Sequence, residues 1–361
     1  MEKLNWHMAD ELSSQATVKV IGPSGSALLK PLTITLTEAP LKPLSLFLLV
    51  AFLKGLWLAL RWKPDVILAG SGLTAPIVWL LSKLCGARSA AYLHGFDITV
   101  NHDLYRRFWR PTFKKLDRVI VNSRPTQALA ISAGVNQSNM SIVYPGVSLP
   151  EAPQPKESVT TFKTKYDLSG KKILLSVGRL TTRKGLREFV EHSLPSIVHA
   201  EPNAMLIVIG VPPSNSLGAG IQTVESIQAQ AERSGVARHI RFLGVVTDKD
   251  LLATAYEAAD VHVFPVRNIV DDPEGFGMVA VEAAAHGLPT IAFATGGIVD
   301  AVMEGASGYM VETNNYPQMS NKILQCLSSP PADKAIRGFA EAYSWPTFRE
   351  QLVRALQVDP L

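Results

Sequence analysis

ILLSVGRLTTRKGLREFV, residues 173–190, contains the unit from which the fold can be read. Ile173–Val177 is a short run of large apolar residues, the pattern of a buried strand. Gly178 frees the backbone, and Arg179 emerges at the strand's C-terminal edge. Thr181 or Thr182 can cap the helix that follows, with Lys184 in or near its first turn. The same succession recurs along the chain. Strands are expected at Val18–Ile21, Val66–Ala69, Ala90–Leu93 and Arg118–Val121, then at Met205–Ile209, Ile240–Leu243, Val261–Phe264 and Thr290–Phe293. Helical segments lie between them, which is the pattern of an α/β protein with parallel sheets. LPEAPQPKESV (149–159) interrupts the series and reads as a linker. Two α/β domains are therefore expected, with strand C-terminal ends lining a cleft between them. One comprises residues 1–152 plus 345–361, because the amphipathic SWPTFREQLVRALQV (344–358) can return across the boundary. The other comprises 165–344.

Composition agrees with that plan. A chain of 361 residues, 47% hydrophobic and only 18% charged, can bury a large core and does not resemble a disordered protein. Cys85 and Cys326 share no ligand-type spacing and read as free thiols of a reducing compartment. The polar start MEKLNWHMAD lacks a signal-peptide core, so a cytoplasmic location is expected. The net charge of +4 is unevenly spread: residues 1–150 carry 16 Lys and Arg against 8 Asp and Glu, the remainder 19 against 23. Such a split suits an anionic partner for the first half alone. Two segments there bear on what that partner is. LSLFLLVAFLKGLWLAL (44–60) is short for a bilayer span and interrupted by Lys54 and Gly55, so a buried or membrane-grazing helix is expected. LYRRFWRPTFKKLDR (104–118) spaces Arg106, Arg110 and Lys114 by four, interleaves Phe108 and Trp109, and carries Pro111 as a kink. It reads equally as a solvated face or as a contact with an anionic leaflet. No recognition motif accompanies the charge, which disfavours nucleic acid.

The chemistry concentrates in two stretches. Cations usually avoid helix N-termini, so Arg179 and Lys184 are either solvated surface charges or the two sides of a phosphate site. PEGFGMVAVE (273–282) places Glu274 in a turn between Pro273 and Gly275, and Gly277 starts a helix whose first N–H groups can meet an anion. Glu282 lies one to two turns further on. A diphosphate on those N–H groups leaves Glu274 for sugar hydroxyls and Glu282 for a ribose diol. A capping carboxylate with a paired buried glutamate is the plainer alternative. Asp248 and Asp250 read as a helix cap, and Asp271 and Asp272 as loop carboxylates. No metal and no cofactor are expected.

GRLTTRKG together with PEGFGMVAVEAAAHGLPTIAFATGG resembles the retaining family-4 glycosyltransferases. AYLHGFDI (91–98), VIVNS (119–123), YPGV (144–147) and FLGVV (242–246) follow in the family's order, so the resemblance covers nearly the whole chain. It implies a glycosyltransferase-B fold of two facing Rossmann-like domains with an inter-domain cleft. It further implies hexose transfer from a nucleoside-diphosphate sugar to a lipid-linked or saccharide acceptor. Carried over residue by residue, Gly178, Arg179 and Lys184 hold the donor diphosphate, with Gly275, Phe276 and Gly277 giving backbone contacts. Glu274 contacts the transferred sugar and Glu282 the ribose. His94 reaches the sugar and diphosphate from the opposing domain, and Asp97 is an acceptor-side position. Retention by front-face attack requires no protein nucleophile. VRNIVDDPEGFG (266–277) resembles the corresponding loop of phosphatidylinositol mannosyltransferases, which leans the donor towards GDP-mannose over a UDP-sugar. The family's opening strand and glycine loop have no counterpart before MEKLNWHMADEL, which reads as a helix with Leu4, Met8 and Leu12 on one face. A late start codon is the expectation there. The competing functions are a nucleotide-sugar epimerase or hydrolase, and an inactive binding protein. A dehydrogenase is disfavoured, since no G-x-G-x-x-G follows an early strand.

Overall fold

The computed structural model describes residues 2–31, 33–213 and 220–357. The chain divides into two compact units, Met1–Gly146 with Trp345–Leu361, and Val147–Ser344. Both are α/β.

In the first unit β1 (Lys19–Pro23) and β2 (Thr35–Ala39) form a two-stranded parallel sheet. β3 (Val66–Ala69), β4 (Arg88–Leu93), β5 (Arg118–Val121) and β6 (Met140–Ile142) form a four-stranded parallel sheet in sequence order. Side chains alternate along a strand, so β4 feeds two cores. Ala90 and Tyr92 pack with Leu4, Met8, Leu12, Phe348 and Leu352, while Ala91 and Leu93 pack with Val78, Ile98, Phe113 and Val119. The helix Glu2–Ser13 thus buries Leu4, Met8 and Leu12 against the larger sheet, next to the C-terminal helix Trp345–Leu356. Its Trp6 and Ala9 cover Ile34 beside the smaller sheet.

The second unit carries six parallel strands: β7 (Lys172–Val177), β8 (Ala204–Ile209), β9 (Ile240–Gly244), β10 (Val261–Phe264), β11 (Thr290–Phe293) and β12 (Gly308–Val311). Their order is β12-β11-β10-β7-β8-β9. Both faces are covered. Leu174, Leu206, Val263 and Phe293 belong to one core, Ile173, Leu175, Ile207 and Ile209 to the other. This is why these strands read as unbroken apolar runs instead of alternating ones. The chain runs from β7 outward through β8 and β9, then returns to add β10 on the opposite side of β7. In open α/β sheets such a switch point is where ligands bind, beyond the strands' C-terminal ends.

Three strands escaped the sequence reading. β2 is polar at three of its five positions (Thr35, Thr37 and Glu38), β6 has only three residues, and β12 opens on Gly308 at the sheet's edge. The linker also ends earlier than expected: from Lys156 the chain is helical to Lys165, anchored by buried Phe162. Around Pro111, one turn of π-helix (Tyr105–Trp109) precedes the short helix Arg110–Phe113. Proline has no N–H and crowds the carbonyl four residues back, so the preceding turn widens. Cys85 and Cys326 are free thiols, and burial pushes Cys326 up to about 11.

Candidate functional site

The switch point lies between β7 and β10, and the residues singled out in 173–190 and 273–282 gather beyond it. After β7, Gly178 N–H donates to Ile209 O and Leu180 N–H to Val211 O, which holds Arg179 at the strand's end. Arg179 is exposed, with no side-chain partner among the described residues. Thr182–Lys184 then makes one 3-10 turn, and Gly185 leads into the helix Leu186–His192. Lys184 therefore precedes that helix. The threonine cap is not formed: among the described residues Thr181 Oγ1 is buried without a hydrogen bond. A distant side chain takes its place, since Gln222 Oε1 accepts the Arg187 N–H at 3.1 Å while Gln222 Nε2 donates to Glu188 at 2.6 Å.

Glu274 does not stand free for a sugar. Lys184 Nζ donates to its Oε2 at 2.8 Å, and Arg183 Nη1 reaches the same oxygen. Arg183 Nε also lies 3.3 Å from Asp272 Oδ1. All four side chains are largely buried. Burial alone would raise the Glu274 carboxyl, but Lys184 and Arg183, with Arg179 further off, hold it below the usual range. Burial draws the Lys184 ammonium below the usual lysine value, with Glu274 opposing it. Lys184 Nζ also sits 4.5 Å from the centre of the Phe264 ring at the end of β10, a cation–π contact. The cluster pits three cations against two carboxylates, an excess of positive charge at the switch point. The hollow lined by Gly178, Arg179, Lys184, Phe264 and Pro265 encloses ≈ 10 Å³, room for about one water.

The glutamate turn is set by close backbone packing. Gly297 N–H donates to Glu274 O at 2.7 Å. A Cβ on Gly297 would overlap the Gly275 carbonyl, and one on Gly296 would come within 2.5 Å of the Glu274 carbonyl oxygen. Gly297→Ala should therefore cost about 2–3 kcal/mol in urea denaturation by forcing the two turns apart. An unchanged midpoint would refute this account of the turn. Gly277, at φ 95, starts the helix Met278–Ala285, and buried Phe276 packs on Tyr343 at 5.6 Å. One turn on, Glu282 Oε2 accepts from Tyr256 Oη at 3.3 Å.

Two participants were not foreseen. Arg183 sits beside the predicted Lys184 and was given no role of its own. His262 is fully buried in β10, with Nδ1 3.0 Å from Thr290 Oγ1 and Nε2 without a partner among the described residues. Burial, with the Lys184 charge, brings it down to about 3, so it stays neutral at physiological pH. Only its place within Val261–Phe264, a strand buried along its whole length, could have flagged it. Asp248 accepts from the N–H groups of Asp250 and Leu251, a helix cap.

In the first unit, His94 follows β4 and is buried, its Nε2 2.9 Å from Gly70 O at the end of β3. Burial lowers its pKa against the opposing pull of Asp97. Both Asp97 oxygens already accept backbone N–H groups, from His94 and Gly72 at 2.8 Å each. Asp97 thus ties the ends of β3 and β4 together, a structural task the acceptor-side expectation did not include. Asn5 Oδ1, Tyr105 Oη and Asn122 Oδ1 are buried without a hydrogen bond among the described residues. Each unpaired group of this kind costs free energy that a polar ligand would recover.

A cation cluster at the switch point of a doubly wound parallel sheet defines an α/β protein equipped to take an anion. Residues 159–342 match the Glycosyl transferases group 1 family, and residues 1–151 match Glycosyltransferase Family 4. The chain belongs to these family-4, group 1 glycosyltransferases. It is 27% identical over 315 residues to a D-inositol 3-phosphate glycosyltransferase of Corynebacterium urealyticum, covering 82% of this chain and 72% of that one. It is likewise 27% identical, over 74% of this chain and 68% of the relative, to a GDP-mannose-dependent alpha-(1-6)-phosphatidylinositol monomannoside mannosyltransferase of Mycolicibacterium smegmatis. Among solved structures, Anabaena Alr3699/HepE in complex with UDP superposes with a TM-score of 0.82 at 20% identity, covering 99% of this chain and 95% of that one. The fold is the glycosyltransferase-B fold.

Proposed function

We propose that this glycosyltransferase moves a hexose from a nucleoside-diphosphate sugar to a lipid-linked or saccharide acceptor, with retention of configuration. The observation that carries the reading is the cluster of Arg179, Arg183 and Lys184 around Glu274 at the switch point. Charge builds on the departing diphosphate during transfer, and fixed cations in a poorly hydrated site stabilise it. In this reading Arg179, Lys184 and the N–H groups that open the helix at Met278 receive the diphosphate, with Gly178, Gly275, Phe276 and Gly277 shaping the approach. Glu274 turns from Lys184 to the sugar, and Glu282 takes the ribose. His94 and Asp97 keep the roles the resemblance implies. Three cations suffice for the leaving group, so neither metal nor cofactor is assigned. GDP-mannose is the first donor to test, supported by the name of the mycobacterial relative and by the 266–277 loop. Free thiols at Cys85 and Cys326 suit a cytoplasmic reaction.

The test is a donor panel of GDP-mannose, UDP-glucose and UDP-N-acetylglucosamine, scored by thermal shift and by nucleotide release with lipid extracts as acceptor. One donor should stabilise the protein, by about 2.7 kcal/mol at a hundredfold excess over its Kd, and release nucleotide only when acceptor is present. Equal release of free sugar without acceptor would establish a hydrolase instead. No shift with any donor would defeat the assignment.

A further inference from the structure

The helix Leu44–Trp62 is built the wrong way round for a soluble protein. A surface helix normally turns its apolar stripe to the core and its polar face to water. This one buries Phe47, Ala51, Gly55 and Ala59, a line of mostly small residues spaced by four. Gly55 presses on Leu81 of the neighbouring helix Ala75–Cys85, where a Cβ would come within 2.7 Å of Cδ1. The opposite line, Leu46, Leu49, Leu53, Trp57 and Leu60, follows helical spacings of three and four and stands 40–59% exposed. Leu80 and Leu84 of the adjoining helix are exposed as well.

The surrounding charge indicates what covers this ridge. Between Leu41 and Lys63 the chain carries Lys42, Lys54, Arg61 and Lys63, all exposed, and no Asp or Glu. Lys54 and Arg61 fall on the same flank of the apolar line, and the Arg61 guanidinium lies 4.8 Å from the Trp57 ring centre. An indole backed by a cation beside an apolar stripe matches the boundary between acyl chains and headgroups. We propose that this ridge seats on an anionic lipid bilayer, the helix lying in the plane of the surface with Leu46, Leu49, Leu53, Trp57 and Leu60 among the lipid chains.

Other occupants fit less well. The helix is long and apolar enough to cross a membrane, but spanning would strip Phe47, Ala51, Gly55 and Ala59 from their partners. It would also separate β2 and β3, which precede and follow it in the same unit. A second copy paired about a two-fold axis would bring the cationic flanks together with no carboxylate from this segment to answer them. The inference is independent of which donor the enzyme uses.

The full chain should co-sediment with phosphatidylcholine vesicles containing phosphatidylglycerol, and brominated acyl chains should quench its tryptophan fluorescence. Each cation near the leaflet strengthens attachment about fivefold, so raised salt or removal of the anionic lipid should release the protein. The Leu49→Gln/Leu53→Gln/Trp57→Gln variant should lose at least about tenfold in partition coefficient while melting like the wild type, because those side chains are exposed. Arg106→Glu/Lys114→Glu should change binding less. Wild-type protein that ignores vesicles would overturn the proposal, as would a triple variant that binds them equally. So would a wild-type dimer that the triple variant splits with vesicle affinity unchanged.

Discussion

Lys184→Ala should lower kcat/KM for glycosyl transfer by about 10²–10³-fold, the usual cost of removing one donor that meets charge only in the transition state. Three features make Lys184 the residue expected to contribute most. Its side chain is 17% exposed, so its charge acts through a medium less screening than water. Its ammonium rests over Phe264, which fixes its direction. It also stands where β7 and β10 diverge, between the strand-end Arg179 and the Glu274 turn. Because the interaction strengthens as the diphosphate departs, the loss should fall mainly on kcat, with KM rising less. Lys184→Arg should not rescue it fully, since a planar guanidinium cannot place its charge where the compact ammonium meets both Glu274 and the Phe264 ring. Stability should change little, because alanine removes a costly buried charge and leaves Glu274 paired with Arg183. Wild-type turnover by Lys184→Ala, with the donor chosen by the panel, would refute the placement of the leaving group.

How much of this was legible in the sequence follows from the range of the forces involved. The buried strands of the second unit were readable because each is covered on both faces, and continuous apolar runs such as Met205–Ile209 follow from that. β12 was not, since an edge strand needs only one neighbour and can open on glycine. Arg179, Lys184 and Glu274 were readable as separate members of an anion site, from the glycines and turns around them. Their pairing was not. Lys184 and Glu274 are ninety residues apart, and no local pattern says which of three nearby cations a carboxylate will choose. Arg183 was missed for the same reason. In isolation TTRKG offers two adjacent cations, and only the packing of the Asp272–Glu274 turn shows that both point inward. The Gln222 cap of the helix Leu186–His192 is likewise a non-local solution to a local need, and it left the threonines of the motif without the task expected of them.

Glu274→Ala should destabilise the protein by about 3–5 kcal/mol, the cost of removing one partner from a buried ion pair. The loss arises because one oxygen serves both Lys184 and Arg183, whose side chains are largely buried and would be left without that carboxylate. The pH dependence separates this from simple loss of packing. The folded-state pKa of Glu274 lies below the ordinary 4.5, so the folded protein binds this proton less readily than the unfolded chain. Its contribution is therefore complete above pH 4.5 and disappears as pH falls through the folded value. Wild type and Glu274→Gln should differ most in urea denaturation near pH 6, and the difference should shrink below pH 4.5. A pH-independent difference would mean that the charge is not what stabilises the turn. Activity and binding should then move in opposite directions. Transfer should fall with the loss of the proposed sugar contact, while GDP or UDP should bind as well as before, or more tightly, because Lys184 and Arg183 no longer have a carboxylate to leave. Weaker nucleotide binding by Glu274→Ala, in a variant shown to be folded, would mean that Glu274 does not compete with the diphosphate for these cations, and the exchange of partners proposed for them would fail.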